Sequence, residues 1–375
     1  MFVITNRQLH AGRKGLARLG HRPNEAGPNE LRVVQARRRG RSWSINILPD
    51  RLTARYRTAI DLPARPTARE RNSGKEYFAS HYAAQMIFDR VNPQERGVEG
   101  RNLVFFVHGY NNDLKAVLDR AEAFEQQYGV ECLVFSWPAN GGGLRGVTSY
   151  LSDKRDAQAS APAFNRVLEK MHDALVGYNN DSHERIARRA VSRFPNDRAE
   201  QLRYVAERME RRCPFRVTMV AHSMGNYVLK QALRTTTTAA DRLIFDNVVL
   251  AAADTNNLDH GLWVDRLNVR NRVYVTINED DFALGASRMK IGDQQLARLG
   301  HSVSQLNSVR AFYVDFTGAP DVGRSHAYFE GSTAEHPAIR AFFHRAFNGE
   351  RAETHLPYDA ARNTHDVRFA GPVLT

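Results

Sequence analysis

From Arg101 onward the chain repeats one pattern: a short apolar run, a turn, then an amphipathic stretch. The runs are Leu103–Val107, Cys132–Phe135, Val217–Ala221, Val248–Ala252, Val273–Ile277 and Ala311–Val314, each dense in Val, Ile, Leu or Phe. A strand covered on both faces reads as a continuous apolar run, and strands that alternate with helices build parallel sheets. The pattern predicts an α/β fold with a mostly parallel, doubly wound sheet and helices on both faces. Between the first two runs, Leu114, Val117, Leu118, Ala121 and Phe124 share one helical face. Leu151–Leu175 is a second helix, with Phe164, Val167, Leu168 and Met171, and Pro162 predicts a kink or break in it.

The flanking segments are less regular. Leu31–Val34 and Trp43–Leu48 read as a β-hairpin, Pro63–Gly74 as a loop, and Glu76–Val91 as a helix burying Phe78, Tyr82, Met86 and Ile87. Residues 1–95 are therefore expected to form an N-terminal extension packed on a core domain of residues 96–350. Residues 351–375 form a tail of little periodicity. Gly177–Arg212 is a charged helical insertion broken at Pro195 and Asn196, read as a solvated helical hairpin or as a cap over a site.

The 375 residues are 42% apolar and 25% charged, which excludes a collagen, a disulfide scaffold or wholesale disorder. No apolar run approaches the roughly 20 residues that cross a bilayer, and Met1–His10 lacks an apolar signal core, so a cytoplasmic location is expected. Cys132 and Cys213 have no partner at metal-ligand spacing and read as buried thiols. The net charge of +12 is compatible with a polyanionic partner. It is carried mostly by arginines spread along the chain, and no specific nucleic-acid partner is expected.

The strongest local signal is Ala221-His222-Ser223-Met224-Gly225, directly after one apolar run and before a helix from about Asn226. A sharp strand-to-helix turn lifts a serine hydroxyl off the sheet edge, and small neighbours are needed because the backbone approaches itself closely. A serine hydroxyl needs a base to take its proton and a third group to orient that base. His326 lies on the loop after the last apolar run, and Asn278-Glu279-Asp280-Asp281 follows Val273–Ile277. Both positions are at carboxyl ends of strands, the edge of a parallel sheet where ligands bind. Asp281 leads as the acid, with Asp280, Glu279 and Asp254 open as alternatives. An acyl-transfer oxyanion needs two backbone N–H donors, expected from Met224 and Tyr110, with Gly109 letting the chain bend. His108, Gly109, Trp137 and His222 are expected around the substrate pocket.

With these residues in view, the chain resembles the bacterial family of alpha/beta hydrolases of unknown function (DUF900). The resemblance rests on Val104–Asn112, Phe135–Pro138, Asp153–Ser160, Ala221–Asn226, Asp281–Leu284 and His326–Phe329, across roughly Arg101–Phe343. It implies the hydrolase fold, with Ser223 as nucleophile, Asp281 as acid and His326 as base. The expected activity is cleavage of carboxylic esters, of the esterase or lipase kind, on a small-molecule ester or lipid and without metal or organic cofactor. A peripheral membrane contact fits the basic charge. The alternative is a catalytically silent protein of the same fold that uses its basic surface to bind an anionic membrane or nucleic acid.

Overall fold

The computed structural model describes residues 1–92, 99–139, 150–210, 215–235, 242–288 and 296–370. The N-terminal segment supplies β1 (Phe2–Thr5), the small pair β2 (Arg7–Leu9) and β3 (Leu19–Pro23), and the hairpin β4 (Arg32–Arg39) and β5 (Ser42–Ile47). All six predicted apolar runs are strands: β6 (Leu103–Val107), β7 (Glu131–Ser136), β8 (Val217–His222), β9 (Phe245–Ala251), β10 (Val269–Ile277) and β11 (Ala311–Asp315). Two short strands, β12 (Tyr358–Asp359) and β13 (Thr364–Asp366), complete the set among the described residues. The main sheet runs β12-β13-β11-β10-β9-β8-β6-β7-β1-β4-β5. From β13 to β1 every neighbouring pair is parallel; only the edge pairs β12/β13, β1/β4 and β4/β5 are antiparallel.

Alternation along a strand sends successive side chains to opposite faces, and here it divides two cores. Leu103, Phe105 and Val107 of β6 join Met219, Ala221, Val248 and Leu250 on one face, under helices Ala79–Val91, Ala161–Arg193 and Gly225–Thr235. Val104 and Phe106 join Val134, Val220 and Val249 on the other, under helices Leu114–Tyr128 and Pro337–Phe347. Leu114, Val117, Leu118, Ala121 and Phe124 are all buried, as their shared face requires. The Asp113 side chain caps that helix by accepting from the Ala116 N–H at 2.8 Å, and Gly129 ends it at φ 66°.

Four expectations change. Residues 1–95 do not only pack on the core: Phe2-Val3-Ile4-Thr5 enters the main sheet beside β7, because its apolar side chains are covered on both faces. Within Pro63–Gly74, residues Ala68–Ser73 form a helix, held by a capping box in which Thr67 and Glu70 each bond the other's backbone N–H. Phe78 stands at the N-cap of helix Ala79–Val91 and is exposed, and Met86 is only half-buried; Tyr82 and Ile87 are buried as expected, joined by Ala83, Phe88 and Val91. The C-terminal segment is also built in. Ala352, Leu356 and Val367 are buried, Glu353 pairs with Arg272 at 2.8 Å, and β13 extends the sheet beside β11.

Pro162 does break the predicted helix, into Tyr150–Ala159 and Ala161–Arg193. The second continues through Gly177 without interruption, turns at Phe194–Asp197 and returns as Arg198–Glu210, so the charged insertion is a helical hairpin. Its root lies at the amino end of the strands: the Tyr178 ring is 4.4 Å from Phe88 and 5.9 Å from Phe215, two residues before β8. Ser223 is at the carboxyl end of β8, so the hairpin stands off the opposite edge and does not cap it. Arg212 and Cys213 lie outside the described residues. Cys132 is a buried free thiol.

Phe124 fixes one helix to Phe106 of the sheet, to Phe347 and to Phe329, with ring centroids 5.1–5.4 Å apart. Phe124→Ala is expected to cost about 3–5 kcal/mol, read in urea unfolding as a lower midpoint at unchanged slope.

Candidate active site

The turn after β8 is strained in the way the sequence implies. Ser223 adopts φ 53°, in the left-handed region that a side-chain-bearing residue rarely occupies. Its N–H donates to the Ala251 carbonyl at 2.9 Å, and its own carbonyl accepts from the Asp254 N–H at 3.2 Å. The Asn226 amide braces the turn from beneath, donating to the carbonyls of Ala221, Ser223 and Ala251. Two glycines are required by contact. A Cβ at Gly225 would lie 2.5 Å from the Val107 oxygen and 2.9 Å from that of His108, and one at Gly109 would lie 2.8 Å from Ser223 Cβ. The loop after β6 therefore lies directly against Ser223. Among the described residues, no carbonyl accepts from the Met224 N–H.

Asp281 and His326 meet at the carboxyl ends of β10 and β11. His326 Nδ1 is 2.6 Å from Asp281 Oδ2. The other oxygen of Asp281 accepts from the Ala283 and Leu284 N–H groups at 2.9 and 3.0 Å, capping helix Phe282–Arg288. One buried carboxylate thus caps a helix and orients an imidazole. The Asn278 side chain pins the histidine loop by donating to the Gly323 and Ser325 carbonyls, both at 3.0 Å. Two of the other candidate acids are engaged elsewhere. Asp254 pairs with Arg298 at 3.2 Å and accepts from the Tyr150 and Ser287 hydroxyls, each at 3.0 Å. Glu279 faces Arg362 and the Val303 N–H, and Asp280 is exposed.

His222 links the serine turn to the histidine loop. Its Nε2 lies 3.1 Å from the His326 carbonyl oxygen, and its ring is 4.7 Å from the His326 ring and 5.0 Å from Phe329. Burial, then the neighbouring His326, holds its pKa well below the ordinary value, so it is neutral and donates Nε2–H to that carbonyl. The serine itself is not presented to solvent as the turn alone implies: Ser223 is 1% exposed, and its Oγ has no hydrogen-bond partner among the described residues. The His326 side chain is 22% exposed.

His108 and Trp137 are completely buried, stacked at 5.2 Å with the indole N–H donating to the His108 carbonyl at 2.8 Å. They buttress the loop after β6 and do not wall an open pocket. Burial, aided by Arg7, pushes His108 down to about 3. Tyr110 is partly exposed and packs edge-on against Tyr150 at 5.5 Å.

Sequence reasoning missed Arg7. Fully buried, it donates to Ser136 Oγ at 2.9 Å, and to the carbonyls of Asn112 at 3.2 Å and Ala139 at 3.4 Å. It ties together the loops after β6 and β7. Its only sequence signal is an arginine just past an apolar tetrapeptide, among many other arginines.

A family model now bears on this geometry. The model of the alpha/beta hydrolases of unknown function (DUF900) matches residues 89–176 and 172–317, more than half of the chain. The chain belongs to this family. No curated protein and no solved structure matches it. The DUF900 match takes in β6 to β11, Ser223 and Asp281, and ends before His326; Arg7 also lies outside it. The family is one of hydrolases and its description names no substrate. No described helix of this DUF900 protein is long and apolar enough to cross a membrane.

Gly225→Ala is expected to destabilise the protein by about 1–3 kcal/mol, because its new methyl meets backbone carbonyls that cannot rotate away. Thermal and urea unfolding both read this.

Proposed function

We propose that this DUF900 hydrolase cleaves carboxylic esters through an acyl-enzyme on Ser223. The observation that carries the reading is the 2.6 Å contact between His326 and Asp281, at the same sheet edge as a serine held at φ 53°. In this mechanism Ser223 Oγ attacks the ester carbonyl carbon while His326 Nε2 takes the hydroxyl proton. Asp281 keeps the proton on Nδ1 and stabilises the imidazolium. The tetrahedral oxyanion is held by the N–H groups of Met224 and Tyr110. Its collapse breaks the bond to the alkoxide, which leaves with the proton from His326. Water, deprotonated by the same imidazole, then releases the acid and restores Ser223.

Three features support the roles. The strain at Ser223 persists because Asn226, Gly225 and the Ala251 and Asp254 backbone hold the turn. Apo enzymes often lack the nucleophile-to-base bond that forms in the substrate complex, so the unpartnered Ser223 Oγ is consistent with the assignment. Asp254 is committed to Arg298, which leaves Asp281 as the carboxylate facing His326.

Ser223→Ala is expected to abolish both fluorophosphonate labelling and hydrolysis of p-nitrophenyl esters, with the unfolding midpoint retained. Turnover in that variant equal to wild type would refute the nucleophile assignment. Asp281→Asn should lower kcat about 10⁴-fold. Asp254→Asn should instead act on stability, since it leaves the buried Arg298 guanidinium without its carboxylate. Parallel kinetics and unfolding curves separate the two. Esters of graded chain length, assayed beside the Ser223→Ala control, report the depth of the acyl pocket.

A further inference from the structure

Away from the Ser223 edge, one cavity combines clustered positive charge, a buried donor without an acceptor among the described residues, and apolar walls. It has a volume of about 370 Å³ and lies where helix Gly225–Thr235 meets the short helix Gly261–Val264. Ser223, Asp281 and His326 do not line it. Lys230 and Arg234, one helical turn apart, and Arg266 bring three cations to its wall, against the single acid Asp259 among the described lining residues. No carboxylate among the described residues forms an ion pair with Lys230 or Arg234. Lys230 is half-buried. Lost hydration, then repulsion from Arg234 and Lys154, lowers its pKa, with Arg298 adding to the effect and Asp259 opposing it. An ammonium in that position is stabilised by an arriving anion.

The remaining walls describe the rest of the ligand. Trp263 is a buried part of the wall, and its indole N–H has no acceptor among the described residues. Leu258 and Leu262 border the same cavity and are 49% and 77% exposed, apolar surface that a hydrocarbon would cover.

We propose that this cavity binds a phosphate-headed amphiphile: a phosphate monoester dianion between Lys230 and Arg234, with its hydrocarbon body laid over Leu258 and Leu262. Lys230 and Arg234, neither in an ion pair with a described carboxylate, match a dianion better than a monoanion, and the leucine rim distinguishes an alkyl phosphate from free phosphate.

Titration calorimetry on the full chain tests this with three probes: dodecyl phosphate below its micelle concentration, inorganic phosphate, and uncharged dodecyl maltoside. The expected result is saturable binding of dodecyl phosphate, with inorganic phosphate at least tenfold weaker and no binding of the maltoside. Lys230→Gln and Arg234→Gln should each weaken dodecyl phosphate at least tenfold. Inorganic phosphate binding as tightly as dodecyl phosphate would overturn the amphiphile, and affinities unchanged in both variants would overturn the site. If Lys230→Gln fails to fold, Arg234→Gln on its exposed side chain decides alone. Fluorophosphonate labelling of Ser223 is expected to persist in both variants, so the outcome here is independent of the ester-cleavage reading.

Discussion

The close approach of two chain reversals at the carboxyl edge of β6 and β8 governs the rest of this molecule. Gly225 lies against the Val107 and His108 carbonyls, and Gly109 lies against the Ser223 side chain. Such packing is open only to residues without a Cβ. It sets the angle at which helix Gly225–Thr235 leaves the sheet and stores strain in Ser223, whose left-handed backbone is paid for by the Asn226 amide and the Ala251 and Asp254 backbone bonds. The loop that would supply the second oxyanion donor is brought to the serine by the same contact.

Around this edge the protein handles buried charge by giving each group several fixed partners. Arg298 and Asp254 neutralise each other behind the serine turn, with Ser287 and Tyr150 satisfying further lone pairs. Among the described residues Arg7 has no carboxylate in direct contact and instead donates to backbone carbonyls and a serine hydroxyl. Burial pulls it down to about 10, which still leaves it charged at neutral pH. Asp281 divides its two oxygens between a helix cap and an imidazole, so the geometry of the proposed base depends on the start of a helix. These partners come from segments far apart in the chain, and they couple the proposed site to the N-terminal strand and to the β10–β11 connection.

The parallel sheet was legible because double burial leaves a one-dimensional trace: Leu103–Val107 and Val217–Ala221 are apolar at every position but Thr218. The serine turn was legible because its steric demand, a small residue two places after the serine, is local. Other features left weaker marks. Phe2–Thr5 is too short to announce itself as a sheet strand, and β12 and β13 are shorter still. The helix Ala68–Ser73 did have a signal, the Thr67-x-x-Glu70 box, obscured by the prolines before it. Trp137 and His108 carried functional chemistry in their residue types, yet their complete burial makes them packing.

Neighbours within a few residues are enough to fix the alternation of strands and helices, the turn that strains Ser223, and a short set of acids and histidines at strand ends, so the linear chain already encodes them. Contacts across the fold select the acid that meets His326, commit Asp254 to Arg298, send the charged hairpin off the opposite edge and cover Ser223. Those outcomes turn on distances between segments tens to hundreds of residues apart. They are settled by which buried polar groups find partners when the sheet closes, a competition that no local pattern records.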